Sequence, residues 1–360
     1  MRVLQIIDSL DAGGSERMAV NFANALAHEI EFSGIVVTRK TGVLQNQIRE
    51  VVPCFFINKK KAIDFKSIIL LKKIIIQNKI DIIHAHGTSF FTAFLVKLIC
   101  FKIKIVFHEH NGDRSNQSLF KNIPLFICIV FFKKILVVNK QIEKWFYKIG
   151  AKNASYFPNF ANFESVCVEK TELKGEKGKR IICLANLRNP KNHQILLRAF
   201  HKLDLKSQNW TLHFIGNNYN DAYAQNVTEI MNELDIANSV FLYGGKSDIE
   251  NILSQASIGV LSSIYEGFPV TLLEYGLAKL PVISSNVGFC SEVIIHNETG
   301  LLFNPICVED LAQQLQKMIN DSILKTNFSK QLNNLVISNF GKEKVITNLI
   351  SIYKNTIDEN

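Results

Sequence analysis

Short runs rich in β-branched and aromatic residues alternate with helix-length segments along this 360-residue chain, and that alternation constrains its fold most. Strands that alternate with helices pair side by side in a parallel sheet that the helices cover. A polar stretch over residues 169–179 divides the pattern into two halves. We therefore expect an α/β protein of two doubly wound, Rossmann-like domains that face each other across a cleft. The predicted strands are residues 3–7, 33–38, 80–84, 104–108 and 134–138, then 180–185, 212–216, 240–244, 258–261, 281–284 and 300–303.

Charge is divided unevenly between these halves. Residues 1–160 hold 23 Lys and Arg against 11 Asp and Glu, a formal charge of +12, whereas residues 161–360 hold 18 against 21, a charge of −3. Apolar residues interleave with lysines over 65–76 and 120–134, which favours an anionic membrane surface over nucleic acid as a partner. The alternative is ordinary core-packed helices with lysine rims. The longest apolar run, 123–132, is too short to span a bilayer.

Cysteine usage and the first residues both indicate a cytoplasmic location. The seven cysteines are scattered and include no Cys-x-x-Cys pair, so neither a disulfide framework nor a zinc site is predicted. Residues 1–8 form a short apolar run that ends in a polar turn, which is typical of a buried strand and unlike a secretion signal.

Two carboxylates, Glu266 and Glu274, lie eight positions apart around a Gly-Phe-Pro step. Proline suits the first position of a helix, so Pro269 is predicted to begin a helix whose free amides bind an anion such as a diphosphate. Two glutamates at this spacing are otherwise ordinary surface charges. The strand predicted at 258–261 favours a site, because open α/β sheets bind ligands at strand carboxyl ends. The predicted anion-binding amides are those of Val270, Thr271 and Leu272.

This stretch resembles the Glu-x7-Glu signature of the retaining glycosyltransferases of family 4, which have the GT-B fold. The resemblance implies that Glu274 contacts the ribose of a nucleotide sugar and that Glu266 lies against the donor sugar. It also implies three regions: an acceptor-side domain over 1–165, a nucleotide-sugar-binding domain over 166–340, and a helix in 341–360 that packs back on the first domain. The implied donor-binding residues around the signature are Gly267, Phe268, Pro269, Val270, Thr271 and Leu272.

Two motifs in the first half extend the resemblance. The turn after the first strand resembles the family's glycine loop, which would place Gly14 against the donor phosphate. His84 and His86 could be metal ligands, a base or structural polar groups, but they resemble the family's His-x-His, and His86 is then the residue that hydrogen bonds the sugar hydroxyls. A second pair, His108 and His110, suggests either a metal cluster or a wall of the cleft near the acceptor, and the wall is preferred.

Residues 182–193 resemble the family's Gly-Arg-Leu-x3-Lys segment, in which Lys191 takes the place of the lysine. A cation between a strand and a helix is well placed to neutralise a leaving diphosphate. Asn186 replaces the family's arginine, and Arg188 is expected to supply that charge if the strand continues. Asn218 stands where relatives have glycine, and it is expected to maintain the turn in a left-handed conformation.

The resemblance implies a retaining glycosyltransferase that moves a hexose or an N-acetylhexosamine, with UDP as the expected carrier, to a growing, lipid-linked surface polysaccharide. The implied catalytic residues are His86, Glu266 and Lys191. The chain contains no Asp-x-Asp, so neither a metal nor a cofactor is predicted. Expected partners are the nucleotide sugar, the saccharide acceptor and the inner face of the cell membrane, which the first domain would contact peripherally. The alternatives are a nucleotide-sugar epimerase and a noncatalytic nucleotide-sugar-binding subunit, which Asn186 leaves open.

Overall fold

The computed structural model describes residues 1–11, 13–112, 114–163 and 170–358. These residues form two compact units, one within Met1–Phe160 and Lys342–Asn360, the other within Ala161–Gly341. The predicted boundary at residues 165 and 166 lies outside the described residues. Each unit has its own parallel sheet with interleaved helices, which confirms the predicted α/β class.

The first unit is built on seven parallel strands in the order β3-β2-β1-β4-β5-β6-β7. Its strands are β1 Arg2–Ser9, β2 Phe32–Lys40, β3 Cys54–Phe56, β4 Ile82–His86, β5 Lys104–Glu109, β6 Lys134–Val137 and β7 Ala154–Tyr156. Its helices are α1 Gly14–Leu26, α2 Phe65–Gln77, α3 Phe90–Lys97, α4 Leu119–Cys128 and α5 Lys140–Lys148, and α13 Lys342–Asp358 joins them.

The second unit has six parallel strands in the order β10-β9-β8-β11-β12-β13. Its strands are β8 Arg180–Leu184, β9 Thr211–Ile215, β10 Val240–Leu242, β11 Ile258–Leu261, β12 Val282–Ser285 and β13 Leu301–Phe303. Its helices are α6 His193–Lys202, α7 Ala222–Glu233, α8 Ile249–Ser254, α9 Val270–Leu277, α10 Cys290–Val293, α11 Val308–Asn320 and α12 Ser322–Phe340.

Strand order fixes which side of the first sheet each helix covers. The chain moves from β1 outward to β2 and β3, then returns to the centre at β4 and continues through β5 to β7. Right-handed crossovers therefore place α1 on one face of the sheet and α2 to α5 on the other. Helix α13 packs beside α1, and the Tyr353 ring it carries is fully buried.

The structure adds two short strands that the sequence did not predict. Both β3 and β7 are three-residue edge strands, too short to show a burial pattern in sequence. Strand β4 also ends two residues later than predicted, so His86 lies within the strand and not beyond it. Among the described residues, no helix has the length and apolarity needed to cross a membrane.

Candidate functional site

Lys191 and Glu266 form an ion pair at the carboxyl end of β11. The Lys191 ammonium lies 2.6 Å from Oε1 of Glu266, and the Ser263 hydroxyl donates to the same oxygen at 2.6 Å. Ser262 holds the other side of the pair, since its hydroxyl donates to the Lys191 backbone carbonyl at 2.9 Å. Both charged side chains are mostly buried, so solvent screens the pair weakly. Two serines at the strand end therefore orient a cation and a carboxylate that are far apart in sequence.

The pair retains unused hydrogen-bonding capacity that a ligand could occupy. A lysine ammonium has three N–H donors, and Glu266 is the only described residue that bonds to this one. The second carboxylate oxygen of Glu266 likewise makes no hydrogen bond within the described ranges. An arriving diphosphate could share Lys191, and a sugar hydroxyl could donate to the free oxygen of Glu266.

Helix α9 begins one residue later than predicted, and its first turn is less open than expected. Pro269 is the N-cap residue, and the helix starts at Val270. The Val270 amide donates to the Phe268 carbonyl at 3.1 Å, and the Leu272 amide donates to the Pro269 carbonyl at 3.0 Å. Two of the three amides predicted to bind an anion are thus already used, which corrects that expectation. Of the three amides, only that of Thr271 takes part in neither of these two hydrogen bonds.

The side chains after Glu266 face the protein interior. The Phe268 ring stacks on Phe289 at 5.0 Å and meets Phe340 edge-on at 5.6 Å. Leu272 is fully buried, and Glu274 is buried in the second turn of α9. Phe268 therefore anchors the loop in the hydrophobic core, and any donor contact of Phe268 or Leu272 has to use backbone atoms.

Gly288 holds the loop from its other side. It has a φ of +51°, and a Cβ atom at this position would overlap the carbonyl oxygen of Glu266. Only glycine combines that left-handed conformation with so close an approach to another backbone segment. The sequence pattern alone had no signal for this contact, because Gly288 and Glu266 belong to different strand-to-helix connections.

We predict that Gly288→Ala destabilises the protein by about 2–4 kcal/mol, because it adds left-handed strain and overlap with Glu266. It should also move Glu266 away from Lys191. The matched control is Gly178→Ala, where φ is +93° but a Cβ would meet no atom within 4 Å. Urea unfolding of both variants checks this, and equal losses of stability would mean that the Glu266 contact contributes nothing.

The connection after β8 differs from its prediction. Strand β8 ends at Leu184, and the Arg188 amide donates to the Asn186 carbonyl at 2.8 Å in a tight turn. Arg188 was expected to replace the family's arginine only if strand β8 continued as far as Arg188, and β8 does not. Asn186 is instead a structural residue, because its side-chain oxygen accepts from the Asn217 amide at 2.8 Å.

The asparagine-rich turn after β9 also needs a correction. Asn218 is not among the residues with positive φ, which in this turn are Gly216 and Asn220. The Asn218 side chain instead accepts a hydrogen bond from the Asn220 amide at 2.8 Å. Asn218 thus stabilises this turn by a side-chain hydrogen bond, and Asn220 adopts the left-handed conformation instead.

In the first unit, Gly14 lies at the exposed start of α1. A Cβ atom at Gly14 would meet nothing within 4 Å, whereas one at Gly13 would displace the Glu16 carboxylate. That carboxylate accepts hydrogen bonds from the hydroxyls of Ser9 and Ser15, at 3.3 and 2.7 Å. A Cβ at Gly13 would therefore require the Glu16 carboxylate to shift, whereas the space at Gly14 is open.

His84, His86, His108 and His110 form a stack of four imidazoles, here called the histidine stack, beneath α1 and α13 in the first unit. The ring centroids of His84 and His86, on β4, are 4.3 Å apart. Those of His108 and His110, at the end of β5, are 4.1 Å apart. Hydrogen bonds join His86 to Gln5 at 2.8 Å and to His110 at 2.9 Å. The Tyr353 hydroxyl bonds His84 at 2.6 Å.

Burial keeps the histidine stack neutral. It lowers the pKa of His84, His86 and His108 well below the usual value, and that of His110 to about 3. Ring nitrogens of His84, His86 and His108 lie within 4.8 Å of one another, a spacing that could admit a metal ion. Stacked rings direct their lone pairs side by side, however, and both nitrogens of His86 are already hydrogen bonded. The geometry favours a neutral hydrogen-bonded stack.

His86 is fully buried, which bears on its predicted contact with a sugar. Because Gln5 and His110 bond its two ring nitrogens, a sugar hydroxyl could reach His86 only by replacing one of them. The sequence missed several residues that hold the predicted ones in place: Gln5 and Tyr353 around the histidine stack, and Ser262, Ser263 and Gly288 around Glu266. The serines directly follow β11, and that position was the only available signal.

Family comparisons cover nearly the whole chain. Residues 12–164 match Glycosyltransferase Family 4, and residues 168–334 match Glycosyl transferases group 1. The Anabaena HepE protein crystallised with UDP and glucose is 16% identical, with a TM-score of 0.81 over 99% of this chain and 100% of that one.

Two curated bacterial relatives align over most of their lengths. The Escherichia coli UDP-Gal:alpha-D-GlcNAc-diphosphoundecaprenol alpha-1,3-galactosyltransferase is 23% identical over 94% of this chain and 93% of its own. The Campylobacter jejuni alpha-1,4-N-acetyl-D-galactosaminyltransferase that acts on a diNAcBac-PP-undecaprenol-linked saccharide is 26% identical over 93% and 92%. The chain therefore belongs to the group 1 glycosyltransferases of family 4, and it is a transferase enzyme with the GT-B fold of that family.

Proposed function

We propose that this glycosyltransferase moves a hexose or an N-acetylhexosamine from a UDP-linked donor to a saccharide carried on a polyprenyl diphosphate, with retention of anomeric configuration. The observation that carries the proposal is the Lys191–Glu266 pair, whose unused donor and acceptor positions match a diphosphate and a sugar hydroxyl. The names of the Escherichia coli and Campylobacter jejuni relatives support a diphosphoundecaprenol-linked acceptor.

In the proposed reaction, the bond between C1 of the sugar and the β-phosphate oxygen breaks, and the acceptor oxygen bonds C1 from the same face. A diphosphate oxygen takes the acceptor proton, so the enzyme needs no base of its own. Lys191 stabilises the charge that develops on the diphosphate, assisted by the Thr271 amide at the start of α9. Glu266 accepts a hydrogen bond from the donor sugar, and Glu274 binds the ribose.

Two positions in the first unit complete the proposed donor contacts. Gly14 leaves open space that a phosphate group could fill. His86 would contact the sugar by exchanging its hydrogen bond to His110, and otherwise it would act as a positioning residue within the histidine stack. No metal is required by this arrangement, because Lys191 and the Thr271 amide supply the positive charge.

We expect UDP and one class of UDP-sugar to raise the melting temperature, with or without EDTA. A ligand at one hundred times its dissociation constant adds about 2.7 kcal/mol of stability. Glu274→Gln should lose this shift because the ribose contact is lost. Gly14→Ala should lose it too, while the unliganded Tm stays unchanged or rises, because a methyl group at Gly14 meets no protein atom but would meet the phosphate.

The control is Gly150→Ala, another open glycine of the first unit, which lies away from the start of α1. Its φ of +91° predicts a lower Tm but an unchanged shift with UDP. No shift with any nucleotide would overturn the proposal. Two outcomes would redirect it: an altered sugar without released UDP would indicate an epimerase, and binding without turnover would indicate a noncatalytic subunit. Inversion of the product's anomeric centre would contradict the retaining mechanism.

A further inference from the structure

Lys59 is a charged side chain of the first unit that the proposed donor site does not use, and it is almost completely buried, at 5% exposed. It lies three residues after β3, and its backbone amide donates to the Thr38 carbonyl near the end of β2. Its ammonium donates to the Thr92 hydroxyl of α3 at 2.6 Å, and no other described residue bonds to it. Because an ammonium has three N–H donors, hydrogen-bonding capacity remains unused at this buried position.

Lys59 also lacks a paired counter-charge. Within the described parts of the chain, no carboxylate forms an ion pair with its ammonium. Burial lowers the pKa of Lys59, and the more distant charges of Asp8 and Asp64 raise it only in part. Asp64 is occupied elsewhere, since it caps α2 by accepting from the Ser67 amide. A buried ammonium without an anion destabilises a folded protein, which indicates a role for Lys59 other than stability.

Polar side chains near Lys59 come from both sides of the point where strand order reverses in the first sheet. Strands β1 and β4 are neighbours there, although β2 and β3 come between them along the chain. Open α/β sheets bind ligands outside the strand carboxyl ends at such a point. The Thr88 hydroxyl, just after β4, donates to the Asp8 carboxylate of β1, and Thr38 donates to its other oxygen. These residues form a group, here called the β1–β4 cluster, that consists of Asp8, Thr38, Arg39, Lys59, Thr88 and Thr92.

The charges of the β1–β4 cluster match a ligand with a single negative charge. Arg39 lies 3.9 Å from Asp8, so these two offset each other and Lys59 remains as the uncompensated cation. A diphosphate brings more than one negative charge, and the Asp8 carboxylate would repel the excess. A sugar carboxylate brings one charge, and hydroxyls of the same sugar can donate to Asp8. The side chains of Arg39 and Asp8 are 41% and 21% exposed, so a ligand can approach the cluster from solvent.

We propose that the β1–β4 cluster binds an acidic sugar of the acceptor, a uronic acid whose carboxylate pairs with Lys59. This inference rests on the proposed function, because it names the chemical class of that transferase's acceptor. The carboxylate accepts from the unused donors of Lys59, and the sugar hydroxyls bond Asp8 and Thr88. A neutral sugar would cover Lys59 without supplying an anion, so the cluster also discriminates against neutral acceptors.

Calorimetric titration of the full chain with methyl glycosides tests the proposal without a donor. We expect methyl glucuronide or methyl galacturonide to bind about tenfold or more tightly than the matching neutral glucoside or galactoside. Lys59→Met should weaken binding of the acidic glycoside about ten- to hundredfold, the usual effect of losing a hydrogen bond to a charged group. Binding of the neutral glycosides should not change. Because Lys59→Met removes an uncompensated buried charge, the unliganded Tm should stay the same or rise.

The matched control is Lys97→Met, which removes another lysine of the first unit. The Lys97 ammonium donates to the carbonyls of Phe101 and Ile103 at 2.6 and 2.7 Å, so its loss should lower Tm and leave glycoside binding unchanged. If Lys59→Met lowers Tm as Lys97→Met does and weakens acidic and neutral glycosides alike, Lys59 is structural and the proposal is overturned.

Arg39→Gln gives a readout that leaves the buried lysine in place. Arg39 is exposed, so the protein should fold normally without it. Its removal leaves the Asp8 charge without its offset, so binding of the acidic glycoside should weaken about threefold or more while neutral glycosides are unaffected. An unchanged preference for the acidic glycoside in both Arg39→Gln and Lys59→Met would overturn the proposal.

Two further measurements identify the source of the anion and separate this inference from the proposed function. If farnesyl diphosphate binds through Lys59 more tightly than the acidic glycosides, Lys59 recognises the carrier's diphosphate and the acidic-sugar proposal is overturned. If Lys59→Met keeps the UDP shift in Tm and loses the acidic glycoside, the acceptor site is assigned independently of the donor site. Wild-type protein that binds UDP but does not prefer acidic glycosides would overturn this inference alone. A preference for acidic glycosides without nucleotide binding would overturn the donor proposal alone.

Discussion

Lys191→Met is expected to lower kcat for glycosyl transfer by about 100- to 1,000-fold, the usual effect of removing one preorganised charge stabiliser. Lys191 is the cation held at the end of β11 by Glu266 and by the Ser262 hydroxyl on its carbonyl. In the proposed mechanism, the leaving diphosphate would then have no ammonium to neutralise its developing charge. Steady-state release of UDP from the donor measures the effect, which should fall mainly on kcat.

Arg188→Met is the matched control for Lys191→Met. Arg188 is exposed and follows a tight turn, so its loss should cost less than about tenfold. Folding gives a second readout, because Lys191→Met leaves the Glu266 carboxylate mostly buried without its cation. Adding Glu266→Gln to Lys191→Met should restore stability but not kcat. A larger loss of kcat in Arg188→Met than in Lys191→Met would contradict the assigned role.

Acidification below about pH 6.5 is expected to destabilise the first unit, because its histidine stack is buried and neutral. The folded pKa values of His84, His86 and His108 lie well below the value of about 6.5 in an unfolded chain. Below pH 6.5 the unfolded chain therefore binds protons that the folded chain does not, and stability falls with falling pH. Each histidine contributes up to about 1.4 kcal/mol per pH unit, so these three together contribute up to about 4 kcal/mol per pH unit.

Urea unfolding at pH 8, 7, 6 and 5 measures this slope. His108→Leu should reduce the slope of the unfolding free energy against pH by up to about 1.4 kcal/mol per pH unit, the contribution of one histidine. The substitution breaks no hydrogen bond, because no described residue hydrogen bonds the His108 ring. His28→Leu, at an exposed position of the same unit, should leave the slope unchanged. A free energy of unfolding that stays constant from pH 7 to pH 5 would show that the stack accepts protons in the folded state.

The sequence predicted the alternating strands and singled out both glutamates of the candidate site, because these depend on local hydrophobic patterns and on a short signature. It could not predict that Lys191 pairs with Glu266 across 75 positions. Nor could it predict that Gly288 packs on the Glu266 carbonyl, because such contacts depend on how neighbouring connections meet at a sheet edge. The start of α9 was predicted to within one residue. In the structure the Val270 and Leu272 amides nevertheless donate to carbonyls of the preceding turn, which the prediction did not include.

Local sequence patterns also did not determine whether the polar side chains of His84 and His86 are buried. His84 and His86 alternate along β4, so the sequence placed them on one face of the strand, but whether that face met solvent or another helix was undetermined. Helix α13 covers it, with Tyr353 on His84. His84 and His86, which the sequence suggested would face a ligand, are thus covered by a helix that is distant from them in sequence.

Helix α13 has a consequence for synthesis of the chain. The first unit is completed by residues that the ribosome adds only after all of the second unit, so its sheet emerges long before Tyr353. Until then His84 lacks its hydroxyl partner, and α1 lacks its contacts with α13. The nascent first unit must wait in an unfinished state while the second unit folds on its own. Truncation before α13 should therefore damage the unit farthest from the cut in sequence and spare the nearer one.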